Sequence, residues 1–161
     1  DWSSDVCSSD LLYLANRTGF DKAKIIGSGT LIDTNRLKHR AERDDVLVIG
    51  VHGESQVALN VSSDIEKLAT GTGWEIYAAK HHTAFGISSS VARIIHVLKA
   101  DTRELLPVSS YDETENCFYA TLTEFNLKDG VLRRVLPSLN NSEANRLAQS
   151  IQTIKRNYQE I

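Results

Sequence analysis

Cysteine is scarce. Cys7 and Cys117 are the only two, too few for a disulfide framework and without the spacing of a metal site. A reducing cytoplasm suits such a chain. Basic charge is scarce as well: 18 lysines and arginines stand against 21 aspartates and glutamates, a formal net charge of -3. That leaves no electrostatic footprint for nucleic acid. No apolar run approaches the length of a membrane span. The acidic, serine-rich first residues lack the apolar core of a secretory leader. Repeats and low-complexity tracts are absent too. What is there is the ordinary composition of a soluble globular protein, and 161 residues suffice for one domain with a real core.

The most informative stretch is 27–54, GSGTLIDTNRLKHRAERDDVLVIGVHGE. Asp33 and Arg36 fall on one face if the segment is helical. Val46, Leu47, Val48 and Ile49 form a short apolar run that reads as a buried strand, and His52 follows in a glycine-flanked turn. A carboxylate beside an imidazole fixes its tautomer, and an arginine nearby can clamp a substrate carboxylate with paired hydrogen bonds. Singly, each residue has a plainer reading. Asp33 or Thr34 could cap a helix, Arg36 could be solvated, and His52 could be a loop residue. The ordered set favours a site.

The coarse organisation follows from pattern. Residues 1–11, DWSSDVCSSDL, show neither helical nor strand period. They read as a translated sequencing-adapter scar rather than native chain, and Cys7 goes with them. Residues 12–18 read as the end of a helix stopped at Gly19, and 24–26 as a short strand. A helix is expected over 31–43 and a strand over 46–49. A helix capped by Ser62 or Ser63 should end before Gly71, with Gly71 to Gly73 breaking it and helix resuming from Trp74. Over 88–100, Val91, Ile94, Ile95 and Leu98 predict a core-facing helix. Strands are expected at 105–109 and 117–123, with Phe118, Ala120 and Leu122 on one face. Asp129-Gly130 signals a hairpin returning over 131–136. Ala144, Leu147, Ala148, Ile151 and Ile154 stripe a last helix that starts at Asn141 or Ser142. The class implied is α+β.

These residues also carry a resemblance. LIDTNRL resembles the LDTARL motif of the L-lactate and L-2-hydroxyacid dehydrogenases, of the lactate/malate dehydrogenase superfamily. GVHGES is similar to their GEHGDS motif, GSGT belongs to the same pattern, and KHHTAFGISSSVARI is similar to their KGxTxxGIAxxVAxI segment. The four motifs stand in order over 27–94, and the resemblance fades after Val108. It implies the C-terminal catalytic half of such an enzyme without its N-terminal Rossmann domain. On that reading 1–11 is a non-native tail, 12–27 a remnant helix and strand of the nucleotide-binding domain, and 28–161 the catalytic domain. The GSG at Gly27 to Gly29 does not supply the missing fingerprint, because Ile32 stands where its third glycine is needed.

The resemblance implies reversible hydride transfer between NAD and a 2-hydroxy acid. His52 would be the acid/base, and Asp33 would hold the imidazole and stabilise its charged form. Arg36 would fork onto the substrate carboxylate, Thr83 would line the substrate pocket, and Ile87 would pack on the nicotinamide. For Thr83 and Ile87 ordinary helix packing is the competing reading. L-lactate is the first substrate reading, malate or L-2-hydroxyisocaproate the alternatives, and a catalytically dead piece acting only in subunit association the alternative of another class. A homodimer or homotetramer in the cytoplasm is implied, and the piece alone should be inactive. No metal is expected: His81 and His82 are adjacent, and His39 and His96 sit on polar helix faces. The sequence also departs from the family. The intervals from Arg36 to His52 and from His52 to Thr83 are shorter, so trimmed loops must still bring the three side chains together. Val51 replaces a frequent Glu, and Glu54 an Asp. Lys38 and Asp45 stand where the sugar-bisphosphate-switched enzymes use an Arg and a His. An acid at a phosphate site has the wrong sign, so no such switch is expected.

Overall fold

The computed structural model describes residues 8–159; the expectations for residues 1–7, Cys7 included, lie outside them. Among the described residues five α-helices surround one antiparallel sheet. In chain order come α1 (Ser8–Thr18), a 3-10 turn (Lys22–Lys24), α2 (Leu31–Ala41), β1 (Leu47–Gly50), β2 (Gln56–Leu59), α3 (Ser63–Lys80), α4 (Ala84–Ala100), β3 (Leu106–Asp112), β4 (Cys117–Asn126), β5 (Gly130–Val135) and α5 (Asn141–Gln159). The α+β class expected from the sequence is the class observed.

β4 organises the sheet. One edge carries β3, from Leu106↔Thr123 to Asp112↔Cys117. The other is shared: β1 joins at Gly50↔Ala120, and β5 takes over from Leu122↔Val135 to Asn126↔Gly130, with a register shift at Glu124/Phe125. The hairpin forms where Asp129-Gly130 marks it. The Asp129 N–H donates to Asn126 Oδ1 at 2.7 Å, and Gly130 supplies a φ of +83°, which favours glycine.

Alternation along β1 sends successive residues to opposite faces. Val48 packs with Leu37 of α2 and Ala69 of α3. Its neighbour Ile49 packs with Leu147, Ile151 and Ile154 of α5. Helices therefore cover both faces of the strand that leads into His52. Cys117 lies in the α5 cluster, and burial pushes its thiol up to about 11 against the partial offset of Lys155, an inert packing residue.

Several local expectations need correction. Residues 24–26 form no strand; a 3-10 turn precedes a single bridge between Gly27 and Ser109. α1 starts at Ser8, so its first turn runs into the segment read as a tail. Leu11 is buried there with Leu12, Ala15, Ile25 and Phe118. α3 is continuous through Gly71 and Gly73. The inner face of α4 is Ser90, Ile94, Val97 and Leu98, whereas Val91 and Ile95 are exposed. On α5, Ala144 and Ala148 lie outside the buried stripe.

The GSG turn is a packing device. Gly29 has φ +56°, and a Cβ there would lie 2.5 Å from the Ser109 backbone nitrogen and 2.8 Å from the Val108 carbonyl carbon. Neither atom can move without shifting β3. Gly29→Ala should therefore destabilise the chain by about 2–5 kcal/mol, from left-handed strain plus overpacking. A urea titration with an unchanged midpoint would contradict this.

Candidate active site

α2 and β1 are fastened by two threonines one helical turn apart. Thr30 Oγ1 donates to the Val48 carbonyl at 2.6 Å, and the Val48 N–H donates to Thr34 Oγ1 at 3.0 Å. Between them on the helix sits Asp33, in the first turn of α2, where the helix dipole favours a carboxylate. It caps nothing. Its side chain is 6% exposed and turns to the loop after β1.

That loop delivers His52. Gly50 has φ +89°, and a Cβ there would strike Ser150 of α5 at 2.6 Å. The next residue, Val51, donates its N–H to Ser150 Oγ at 3.0 Å. His52 Nδ1 then lies 2.5 Å from Asp33 Oδ2. The other carboxylate oxygen, Oδ1, faces Arg36 Nη1 at 3.5 Å. One buried carboxylate thus holds the imidazole on one oxygen and the guanidinium on the other. The shortened intervals close around it without separating the three side chains.

The three line a cavity of about 450 Å3. Thr83 and Ile87, from the start of α4, line the same cavity, and Trp74 and Tyr77 of α3 form an apolar wall. All five residues singled out in the sequence therefore meet in one place. Arg36 makes its single hydrogen bond among the described residues to Asp33, and its side chain is 14% exposed. Its other N–H donors are available to an anion. Gln56 adds a buried acceptor. The Thr70 hydroxyl donates to the Glu66 carbonyl at 3.0 Å, so it accepts from Gln56 Nε2 at 2.9 Å. That fixes the amide orientation and leaves Oε1 without a partner among the described residues.

Sequence reasoning missed Thr30, Thr34, Gln56 and Ser150. The two threonines flanking Asp33 were a signal of sorts, spaced as helix neighbours. Ser150 gave none, because its partner is 99 positions away. The remaining histidines stay outside the cavity. His81 ends α3 in a left-handed conformation, and His82 leans on Phe85 with ring centroids 5.4 Å apart. Among the described residues no group of three His, Cys, Asp or Glu could hold a metal ion.

Glycines shape the wall on the α3 side. A Cβ at Gly73 would lie 3.3 Å from Arg36 Nη1, whereas one at Gly71 would meet nothing within 4 Å. Both alanine substitutions should gain about 0.5–1 kcal/mol of helix stability. Gly73→Ala alone should also push the guanidinium aside and weaken binding of oxamate, a keto-acid analogue. Equal oxamate affinities for the two variants would contradict that difference.

No family model matches the chain. Curated relatives do. It is 26% identical over 175 residues to an L-lactate dehydrogenase of Clostridium botulinum, and 28% identical over 166 residues to one of Halalkalibacterium halodurans. Each match covers 86% of this chain and 54% of the relative, so the chain spans about half the length of the curated relatives it matches. Among solved structures, the minor L-lactate dehydrogenase of Enterococcus mundtii superposes with a TM-score of 0.86 at 20% identity, over 96% of this chain and 60% of that one. The L-lactate dehydrogenase of Clostridium thermocellum gives 0.84 at 21%, over 96% and 62%. In sequence over most of its length, and in fold, the chain is similar to the L-lactate dehydrogenases, consistent with the C-terminal half of the lactate/malate dehydrogenase family.

Proposed function

We propose that this chain is the catalytic half of an NAD-dependent L-2-hydroxyacid dehydrogenase acting on L-lactate and pyruvate. The observation that carries the reading is the Asp33 carboxylate shared between His52 and Arg36 at the wall of one cavity. A carboxylate only accepts, so Nδ1 of His52 carries the proton toward Asp33. Nε2 is then the ring nitrogen that exchanges a proton with the substrate oxygen. In the reducing direction it protonates the keto oxygen; in the other it takes the proton from the hydroxyl. Arg36 forks onto the substrate carboxylate and sets the carbonyl before the imidazole. Thr83 lines the substrate side of the cavity.

A nicotinamide, when bound, supplies or takes up the hydride. Ile87, with Trp74 and Tyr77 near it on the cavity wall, offers an apolar surface to such a ring. The described residues hold no glycine cradle for a pyrophosphate, since Gly29 is packed against Val108 and Ser109. The residues present thus fit the nicotinamide end of the cofactor and not its phosphates. The 161-residue chain alone is accordingly expected to oxidise no NADH with pyruvate; measurable turnover by it would refute this.

On this reading the partners are a small 2-keto or 2-hydroxy acid and further copies of the enzyme, and the compartment is the cytoplasm. Among the described residues no helix is long and apolar enough to cross a membrane. The deciding experiment fuses the chain to the dinucleotide-binding half of an L-lactate dehydrogenase. NADH oxidation with pyruvate, or with oxaloacetate or a bulkier 2-keto acid, is the expected result. A fusion that folds and binds NADH yet reduces none of these would overturn the reading.

A further inference from the structure

One buried acceptor in the candidate site is left over. Gln56 is 5% exposed, and among the described residues its Oε1 is the single buried side-chain polar atom without a partner. The rest of the group is fixed. Alternation along β2 puts Gln56 on the side of Ala58, which packs with Leu37 and Ala69, while Val57 and Leu59 pack with α5. The side chain therefore reaches α3, where Nε2 donates to Thr70 Oγ1 at 2.9 Å. Gln56 and Thr70 both line the cavity of His52. Turning the amide over satisfies nothing. The Thr70 hydroxyl gives its one proton to the Glu66 carbonyl, so Nε2 must face it.

The place of this acceptor relative to Arg36 follows from α3. A Cβ at Gly73 would lie 3.3 Å from Arg36 Nη1. Thr70 stands three residues earlier, about 4.5 Å along the helix axis. A short acid held by Arg36 covers that distance with its own length.

This end of the cavity offers acceptors. Glu54 adds a carboxylate to the same lining, and Thr70 has no proton left to give. With the substrate carboxylate on Arg36 and its reacting oxygen before His52, the missing partner is a hydrogen-bond donor. A methyl group leaves Oε1 unpaired, and a second carboxylate sets acceptor against acceptor. A hydroxyl on the third carbon pairs it.

We propose that Gln56 is a specificity-determining residue, and that this cavity fits best a 2-keto or 2-hydroxy acid carrying a hydroxyl on carbon 3. The proposal rests on the dehydrogenase reading and narrows its substrate. Pyruvate and lactate fit; their 3-hydroxy analogues fit better.

The test titrates the 161-residue chain with L-glycerate and with L-2-hydroxybutanoate, which differ only in a hydroxyl for a methyl. The readouts are the NMR signals of the His52 ring and the Gln56 side-chain amide. Both acids are expected to shift His52, with glycerate bound about tenfold tighter, because a site built to pair a hydroxyl disfavours the analogue that lacks it. L-Malate should bind no better than 2-hydroxybutanoate. Gln56→Met keeps an unbranched side chain of similar length without the amide acceptor. It should weaken glycerate alone and bring the two affinities to within about twofold. Equal affinities in the unsubstituted chain would overturn the proposal and leave the 2-hydroxyacid reading standing. So would a glycerate preference that survives Gln56→Met. If neither acid shifts His52, both fall together. The comparison of the two acids needs no variant, so it decides the matter even where Gln56→Met does not fold.

Discussion

Replacing His52 by asparagine in the fused enzyme lowers turnover by about 10²–10⁴-fold, the span that a positioned acid/base commonly contributes, while the dissociation constant for NADH stays where it was. Asparagine suits the purpose. Its amide can still donate to Asp33 Oδ2, now 2.5 Å from the imidazole, so the buried carboxylate keeps a partner. What disappears is the nitrogen that takes up and returns a proton. The split between readouts matters, because a folding defect would reduce turnover and cofactor binding together, whereas loss of proton transfer reduces only the first. Turnover within roughly threefold of the parent would remove His52 from the chemistry, since that is far below the usual contribution of such a group.

Arg36→Lys raises the KM for pyruvate by about 10–100-fold and changes kcat much less. Lysine keeps the charge but loses the planar fork, and a charge-assisted hydrogen bond is worth about 1.5–3 kcal/mol. The position is unforgiving. Asp33 Oδ1 on one side and Gly73 on the other hold the guanidinium in place, and a lysine ammonium cannot span both the ion pair and a substrate carboxylate. If KM is unmoved, the substrate carboxylate sits elsewhere in the cavity, and Arg36 serves the helix rather than the ligand.

The site was more legible in the sequence than the fold around it. Asp33, Arg36, His52, Thr83 and Ile87 were found by motif order, and all five line one cavity. Elements with strong local patterns were also readable: the β4–β5 hairpin by its Asp129-Gly130 turn, and α5 by Leu147, Ile151 and Ile154. β2 was not. All four of its residues are buried, so Gln56 to Leu59 show no alternation to read, and four residues are too few for any period to assert itself. The break expected at Gly71 and Gly73 rested on propensity, about 1 kcal/mol for each glycine. α3 nonetheless runs through both, and Arg40 of α2 bonds Thr72 and Glu75 on either side of Gly73. On α4 the apolar residues outnumber those the core can take, so the stripe read from sequence was wider than the face that Leu31, Val108 and Phe125 cover. The pairings of Ser150 and Arg146 are matters of tertiary contact, which no local period encodes.

Those two α5 side chains have a bearing on how the candidate site can vary. Ser150 receives the amide just before His52, and Arg146 grips both Glu66 and the Gln56 carbonyl just after it. The final helix is thus a buttress standing behind the Asp33–His52 pair, and it touches the imidazole's loop on both flanks. Substitutions there reach the loop of His52 without entering the cavity. Drift along that helix can retune the aim of the histidine while the residues from α2, α3 and α4 that line the cavity stay the same.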